Sequence, residues 1–512
     1  MINQIITILI LSFLVDCWRG YDFNAIIKNT DRFHPYKYSR DLKFKRDVKA
    51  AFKNSRHDDE VTRNYFKQIQ KLITRRSFAK NEKNETTLII GAGPVGLLAA
   101  LEKYVSGEPH IILAEKRNDY ERNVWFDLYP EPYSPAFNIL YELGFGSQQI
   151  EFQSQKMTNG SAITIRCQLL ERFLSKILFV LSILDPSLVL LYGFELTSVL
   201  FSPRSVVLKS LVDGRILVPF HRLIACDGYN SRTRFLLKIP TKVVDEFTIF
   251  NHKVHIKNLH QVSVIVGFKP TNSSSSCPEL RADPFNPDST IDPWMPGFMV
   301  NGISSIFKRF YHGHCHMQIL LNKVFGEKFL INSHVNVDWV TILQMVNTVM
   351  KHPYTNVEQL KRSITTKTDG SLDLVILKSQ ILKSDDNHYS LGSGSSLTLR
   401  GDASANAHFR LGVGVNTAFI SYRYHTSQNL SRYLREEYVR KQWEAVVNNM
   451  VGTMFLETYC NYVIFMDKGE RGDRFDKYEP GKMIVYERDF KNLDYVQVKE
   501  RQVTKCIREW TQ

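Results

Sequence analysis

Gly91, Gly93 and Gly96 form GxGxxG inside TLIIGAGPVGLLAALEK, between the apolar run Leu88–Ile90 and a helix-forming stretch. Gly91 suits a tight turn. Gly93 lets a backbone approach a pyrophosphate, and Gly96 lets a helix pack closely on a strand. A helix beginning there turns its positive end toward phosphate charge. Glu115 closes the next apolar run, HIILAE, 19 residues after Gly96. A carboxylate at that distance accepts hydrogen bonds from ribose hydroxyls. These positions lead us to expect a bound dinucleotide.

Two further motifs narrow the nucleotide. DGYNSRTR carries Asp227-Gly228, Ser231 and Arg234, a DGxxSxxR pattern directly after RLIAC. GDASANAHFRLGVGVNTAF carries Gly401-Asp402 after LTLR, then Gly412, Gly414 and Asn416 opening a helix. A carboxylate at Asp402 suits the ribityl hydroxyls of a flavin. A glycine-rich helix start presents N–H groups to the pyrimidine end of the isoalloxazine ring and stabilises negative charge on reduced flavin. In this order the three motifs indicate FAD, with Asp227 among the cofactor-binding residues.

The same motifs resemble the single-component FAD-dependent aromatic hydroxylases, and most of all the MICAL flavin monooxygenase domain. The similar stretches are YFKQIQKLITRRSFAKNEKNETTLIIGAGPVGL, EKRNDYERNVWFDLYPEPYSPAFNILYELG, ITIRCQL and GDASANAHFRLGVGVNTAF, within residues 60–430. The resemblance implies that Glu115 and Arg117 hold the adenosine half of FAD. It also implies Arg122 and Asn123 near the flavin, Arg166 near the pyrophosphate and Asp402 on the ribityl chain. Phe409 stands where the family has a Trp beside the flavin, and Arg410 replaces the following Pro. Neither a calponin-homology nor a LIM module follows, so actin is not the expected substrate. The implied activity uses NAD(P)H and O2, through a C4a-(hydro)peroxyflavin, to oxygenate a small-molecule or protein substrate, or releases hydrogen peroxide. Arg122, Asn123 and Phe409 are the expected catalytic positions, because a fixed guanidinium near the ring stabilises developing negative charge. A flavin oxidase and a non-catalytic FAD-fold binding protein are the rival readings.

Strands and helices must hold these residues. The expected fold class is α/β: a Rossmann-like FAD-binding domain with an inserted, sheet-rich substrate domain. The boundaries read from the pattern are a signal peptide at 1–17, a basic cover segment at 18–83 with one helix at 61–73, FAD-binding parts at 84–239 and 391–430, the substrate domain at 240–390, and a helical tail at 431–512. SVVLKSLVDGRILVPF reads as two strands around Asp213-Gly214.

The remaining signals concern compartment and partners. At 43 % apolar and 23 % charged residues, the composition is that of globular protein and excludes disorder along the whole chain. The net charge of +14 has no long like-charge run or basic–aromatic stripe, which argues against nucleic acid as a partner. The apolar run Ile5–Val15 fits a signal peptide and is too short to cross a bilayer; left uncleaved, it would tie the chain to a membrane. Sequons at Asn84, Asn159, Asn272 and Asn429 fit secretion or residence in the endoplasmic reticulum lumen. Six cysteines follow Cys17, an even number that permits disulfides without assigning them. His312, His314 and His316 share one face if YHGHCHM is a strand. With no carboxylate at ligand spacing, a substrate-side or surface face is the plainer reading, and no metal is expected.

Overall fold

A computed structural model describes most of residues 33–120, 160–269, 295–321, 337–406 and 499–511, together with strands at 125–128, 152–157, 462–466, 483–489 and 494–497. The first 32 residues and all four sequon asparagines lie outside the described residues.

Three helices precede the first strand: α1 (Pro35–Ser39), α2 (Leu42–Lys53) and α3 (Glu60–Phe78). Phe44 and Val48, one turn apart, are buried from α2; Tyr65, Phe66, Ile69 and Leu72 are buried from α3. These are single apolar stripes at helical spacing, so each helix lies on the body by one face. The helix expected at 61–73 is therefore longer at both ends.

Next come β1 (Thr86–Ile90), α4 (Pro94–Val105) and β2 (His110–Glu115). A small antiparallel sheet follows from β3 (Trp125–Leu128), β4 (Phe152–Met157) and β5 (Gly160–Arg166), ordered β3-β5-β4. Helix α5 (Cys167–Leu184) starts directly after β5 and is buried along most of its length. It packs against α4, and Phe179 reaches Phe33 at 5.6 Å and Phe44 at 5.9 Å between ring centroids. Strand β6 (Leu188–Tyr192) leads to the antiparallel β7 (Phe194–Phe201), β8 (Arg204–Ser210) and β9 (Gly214–Pro219), the last two joined through Asp213-Gly214. Then come β10 (Arg222–Ala225) and the short α6 (Arg232–Leu236).

The chain leaves this region through β11 (Thr241–Val243) and the hairpin β12 (Glu246–Ile249)–β13 (His252–His255). It builds a second sheet from β14 (Gln261–Phe268), β15 (Met295–Val300), β16 (Ile303–Tyr311) and β17 (His314–Leu321). After α7 (Trp339–Val349) and α8 (Val357–Ser363), β18 (Leu374–Ser379) completes the antiparallel order β15-β16-β17-β14-β18. Because side chains alternate along a strand, Val262, Val264, Val266, Phe268, Cys315, Met317, Ile319 and Leu321 all meet the apolar faces of α7 and α8.

The return path is β19 (Leu382–Ser384), β20 (His388–Ser390), β21 (Ser396–Leu399), a 3-10 turn at Gly401–Ala403, and β22 (Ala405–Asn406). The exit and return strands pair in a ribbon ordered β11-β19-β22. Strand β21 rejoins the first sheet beside β10, giving β20-β21-β10-β1-β2-β6, parallel except for edge strand β20. The architecture is a mixed α/β fold built on a parallel sheet.

The tail expected to be helical differs. Its described residues form β23 (Tyr462–Met466), β24 (Met483–Asp489) and β25 (Asp494–Gln497), an antiparallel sheet, before a helix at Glu500–Thr511, α9. YVIFM and MIVYERD are rich in β-branched and aromatic residues, whose side chains suit a pleated surface better than a helix.

Lys176 is fully buried on α5, its ammonium 5.6 Å from the Phe173 ring centroid and 5.9 Å from that of Tyr65 on α3. Burial pushes its pKa down to about 7. Between that value and the ordinary lysine value, the unfolded chain holds a proton that the folded chain lacks. Stability attributable to Lys176 therefore rises with pH across this window. In urea unfolding, the wild type should gain stability relative to Lys176→Met from pH 7 toward 10, by at most about 1.4 kcal/mol per pH unit. Parallel profiles for the two proteins would refute the shift.

Candidate functional site

The registers Ile90↔Ala225, Ile90↔Ala114 and Ala225↔Leu399 align the C-terminal ends of β1, β10, β2 and β21. Gly91, Asp227, Glu115 and Gly401 thus emerge along one edge of the parallel sheet, where open α/β sheets bind ligands.

The glycine loop is shaped by contacts that exclude side chains. Gly91 has φ +94°, and a Cβ there would stand 2.5 Å from the Cys226 carbonyl oxygen. A Cβ on Gly96 would overlap the Gly91 carbonyl oxygen. Gly93 is different: it is the N-cap of α4, and a Cβ there would meet only Glu171 Oε1 at 3.8 Å among the described residues. The loop is therefore closed toward the sheet and open over Gly93, which fits a group approaching the α4 N-terminus.

Glu115 is 4 % exposed. It accepts hydrogen bonds from Ala92 N at 2.7 Å, Arg117 N at 3.0 Å, and Arg117 Nε and Nη2 at 2.9 and 3.1 Å. Burial alone would raise its pKa, but the Arg117 hydrogen bonds and charge and the two backbone N–H groups hold it below the ordinary value. The Arg117 guanidinium also reaches Glu171 Oε1 at 3.3 Å and lies 5.2 Å from the Tyr120 ring centroid. Glu171, fully buried on α5, is a site residue that sequence reading missed. Its place in an amphipathic helix looked like any solvated acid.

Gly401 has φ +57°, and a Cβ there would lie 2.9 Å from Val95 Cγ2. The Gly401-Asp402 turn therefore rests on the first turn of α4, with Asp402 exposed beside the glycine loop. Just before it, Arg400 forms a buried, two-pronged ion pair with Glu102 of α4, at 2.8 and 3.1 Å. Neither partner was singled out from sequence, since a pair 298 residues apart leaves no local pattern.

Asp227, an expected cofactor residue, is hydrogen-bonded within its own segment. Its carboxylate accepts from Ser231 Oγ at 2.6 Å and from Thr233 N and Oγ1, both at 2.9 Å. Ser231 Oγ in turn accepts from Arg234 N at 3.1 Å. The DGxxSxxR stretch therefore works as a helix cap for α6. Arg234, 7 % exposed, donates to the Tyr229 carbonyl and lies within electrostatic reach of Asp402, so the DG and GD turns are neighbours. Arg166, 5 % exposed, is the N-cap of α5 and pairs in register with Trp125. Arg122, Asn123, Phe409, Gly412, Gly414 and Asn416 lie outside the described residues.

The second sheet carries a polar row on the face away from α7 and α8. Asp373 Oδ2 lies 4.0 Å from His316 Nε2, and a Cβ on the intervening Gly267 would overlap the Asp373 carboxylate. Gln318 and Ser263, 8 % and 0 % exposed, share this face, and Gln318 Nε2 and Ser263 Oγ have no hydrogen-bond partner among the described residues. His312 lies outside the described residues, and no metal-binding cluster occurs among those described.

No protein-family profile matches the sequence, and no curated protein does. Solved structures do resemble the fold. The myxobacterial chondrochloren halogenase CndH, described as a variant of FAD-dependent halogenases, aligns with a TM-score of 0.52 at 11 % identity, over 83 % of this chain and 89 % of the halogenase. The p-nitrophenol 4-monooxygenase PnpA of Pseudomonas putida aligns at 0.48 and 12 % identity over 73 % and 90 % of the two chains. CmlS, a flavin-dependent halogenase, aligns at 0.47 and 12 % identity over 74 % and 63 %. The chain shares the mixed α/β, parallel-sheet fold of the halogenase CndH. A likeness to MICAL is carried by sequence motifs alone.

Gly96→Ala should lower stability by roughly 1–3 kcal/mol, the usual range for overpacking, whereas Gly93→Ala should unfold as the wild type does. Thermal unfolding of both variants checks this. Equal loss at both positions would contradict the close α4–loop contact.

Proposed function

We propose that this chain is an FAD-dependent monooxygenase that uses NAD(P)H and O2 to oxygenate a small-molecule or protein substrate. The observation that carries the reading is the convergence of the open Gly93 cap, buried Glu115 and exposed Asp402 on one sheet edge. The fold shared with an FAD-dependent halogenase supports it. In net terms, NAD(P)H and a proton reduce O2, one oxygen atom enters the substrate and the other leaves as water.

Bound FAD would supply electron transfer and O2 activation. This chain's residues would do the rest. The α4 N-terminus would face the pyrophosphate, with Gly93 allowing close approach. Glu115, kept ionised by Arg117, would accept from ribose hydroxyls, and Asp402 would accept from the ribityl chain. Arg122 and Asn123 would sit near the ring, where a guanidinium in a water-poor site stabilises negative charge. The buried face bearing His316, Gln318 and Ser263 is the proposed substrate side. For compartment, we propose export. Cys315 and Cys506 are disulfide-bonded while Cys167 and Cys226 are buried free thiols, a pattern that fits an oxidising environment.

The purified protein should be yellow, and acid should release a flavin that co-migrates with FAD. A colourless protein that FAD cannot reconstitute would end the proposal. Gly93→Ala and Asp402→Ala should fold normally yet retain less flavin; unchanged occupancy would remove their assigned contacts. Arg122→Ala should keep FAD but slow its reduction by NADPH about tenfold to a thousandfold, as for loss of a preorganised charge. Stopped-flow absorbance reads that rate, and a wild-type value would place Arg122 away from the ring. Glycosidase treatment of secreted material should increase gel mobility; a cytosolic protein with Met1 intact would refute export.

A further inference from the structure

We infer that the outer faces of α2 and α3 form a binding track for a linear sulfated polysaccharide. On α2, Lys43, Arg46, Lys49 and Lys53 are exposed at spacings of three and four residues. On α3, Arg63, Lys67, Lys71 and Arg75 are exposed at a strict four-residue spacing. Such spacings keep each set on one side of its helix, with neighbouring cations about 5–6 Å apart along the axis. Each row runs about 15–18 Å.

The rows face outward because the opposite faces are anchored. Phe44 and Val48 of α2, and Tyr65, Phe66, Ile69 and Leu72 of α3, are buried in the first core. Phe52 of α2 meets Phe66 of α3 at 5.8 Å between ring centroids, so the two helices adjoin. Arg76 shows the contrast with its exposed neighbour Arg75. It turns inward, donating to the Tyr104 carbonyl at 3.1 Å and pairing with Asp185 at 3.0 Å, and so ties α3 to the body. The acids on these elements do not interrupt the rows. Asp41 accepts from Phe44 N at 2.9 Å, Asp47 is half-buried, and exposed Glu60 stands at the very start of α3.

The occupant follows from charge, shape and compartment. Two extended rows of fixed cations engage a chain carrying repeated anions, whereas one phosphate or carboxylate meets only a cation or two. Leu42 is the one large exposed apolar side chain among the described residues of α1–α3, so the surface lacks the apolar edge that a membrane-inserting helix needs. Export, proposed above from the disulfide-bonded Cys315 and Cys506 and the sequons, would bring the chain to where sulfated polysaccharides occur and nucleic acids do not. The inference rests on export and is independent of the flavin chemistry.

The test uses the full chain and a heparin oligosaccharide. The protein should bind it in calorimetry and elute from heparin resin at higher salt than from a sulfonate exchanger, because clustered contacts release more counterions. Lys67→Glu with Lys71→Glu should weaken oligosaccharide binding at least tenfold, while the matched change Lys499→Glu, just before α9, with Lys505→Glu, on it, should alter it less than twofold. Circular dichroism checks the fold of both, and Lys67→Gln with Lys71→Gln replaces the first pair if it misfolds. Equal weakening by both pairs would reduce the effect to net charge and overturn the track. Absence of heparin binding, or tighter binding to phosphatidylserine vesicles or duplex DNA, would overturn it as well. Flavin content measured on the same samples stays at the wild-type level if the two readings are separate.

Discussion

Helix α4 can begin where it does only because Gly96 lacks a side chain. With the Gly91 carbonyl pressed against it, the loop between β1 and α4 has one available path. That path fixes Gly93 as the cap, turns Ala92 N toward Glu115, and brings Val95 under Gly401. Three distant segments therefore depend on one steric condition. Changing the loop moves Gly93, Glu115 and Asp402 together.

Electrostatics then lock what sterics positioned. The Glu102–Arg400 pair joins α4 to the end of β21, two residues before Asp402, and it does so away from water, where breaking one partner leaves a buried charge. The Glu115–Arg117–Glu171 cluster does the same on the other flank and links β2 to α5. Arg117 carries two acids, so Glu115 can stay ionised although it is almost fully buried. The fold itself thus fixes the protonation state of this buried acceptor.

The sequence announced the parts of this arrangement that are local. GxGxxG, the strand-end position of Glu115 and the Gly401-Asp402 turn all follow from short-range rules of turn geometry and helix starts. Asp227 shows how the same rules cut both ways. The residues of DGxxSxxR that suit a cofactor also serve local structure, since its Asp and Ser hydrogen bond within seven residues to cap α6. Glu171, Arg400 and Asp373 carried no signal, because each is defined by a partner 54 to 298 residues away. The tail was misjudged where β-branched runs between charged segments outweighed the helical impression of its start.

The β11-β19-β22 ribbon ties the chain's exit from the parallel sheet to its return. The chain leaves the parallel sheet at β11 and returns at β19, and the two strands are bonded to each other with β22 beside them. Ser384 N donates to the Ser404 carbonyl at 2.9 Å, and Ser404 N to that of Gly401 at the same length. A torque on the second sheet is thus transmitted through two hydrogen bonds to the turn that carries Asp402. The ribbon thereby gives the second sheet a continuous hydrogen-bonded path to the turn that carries Asp402.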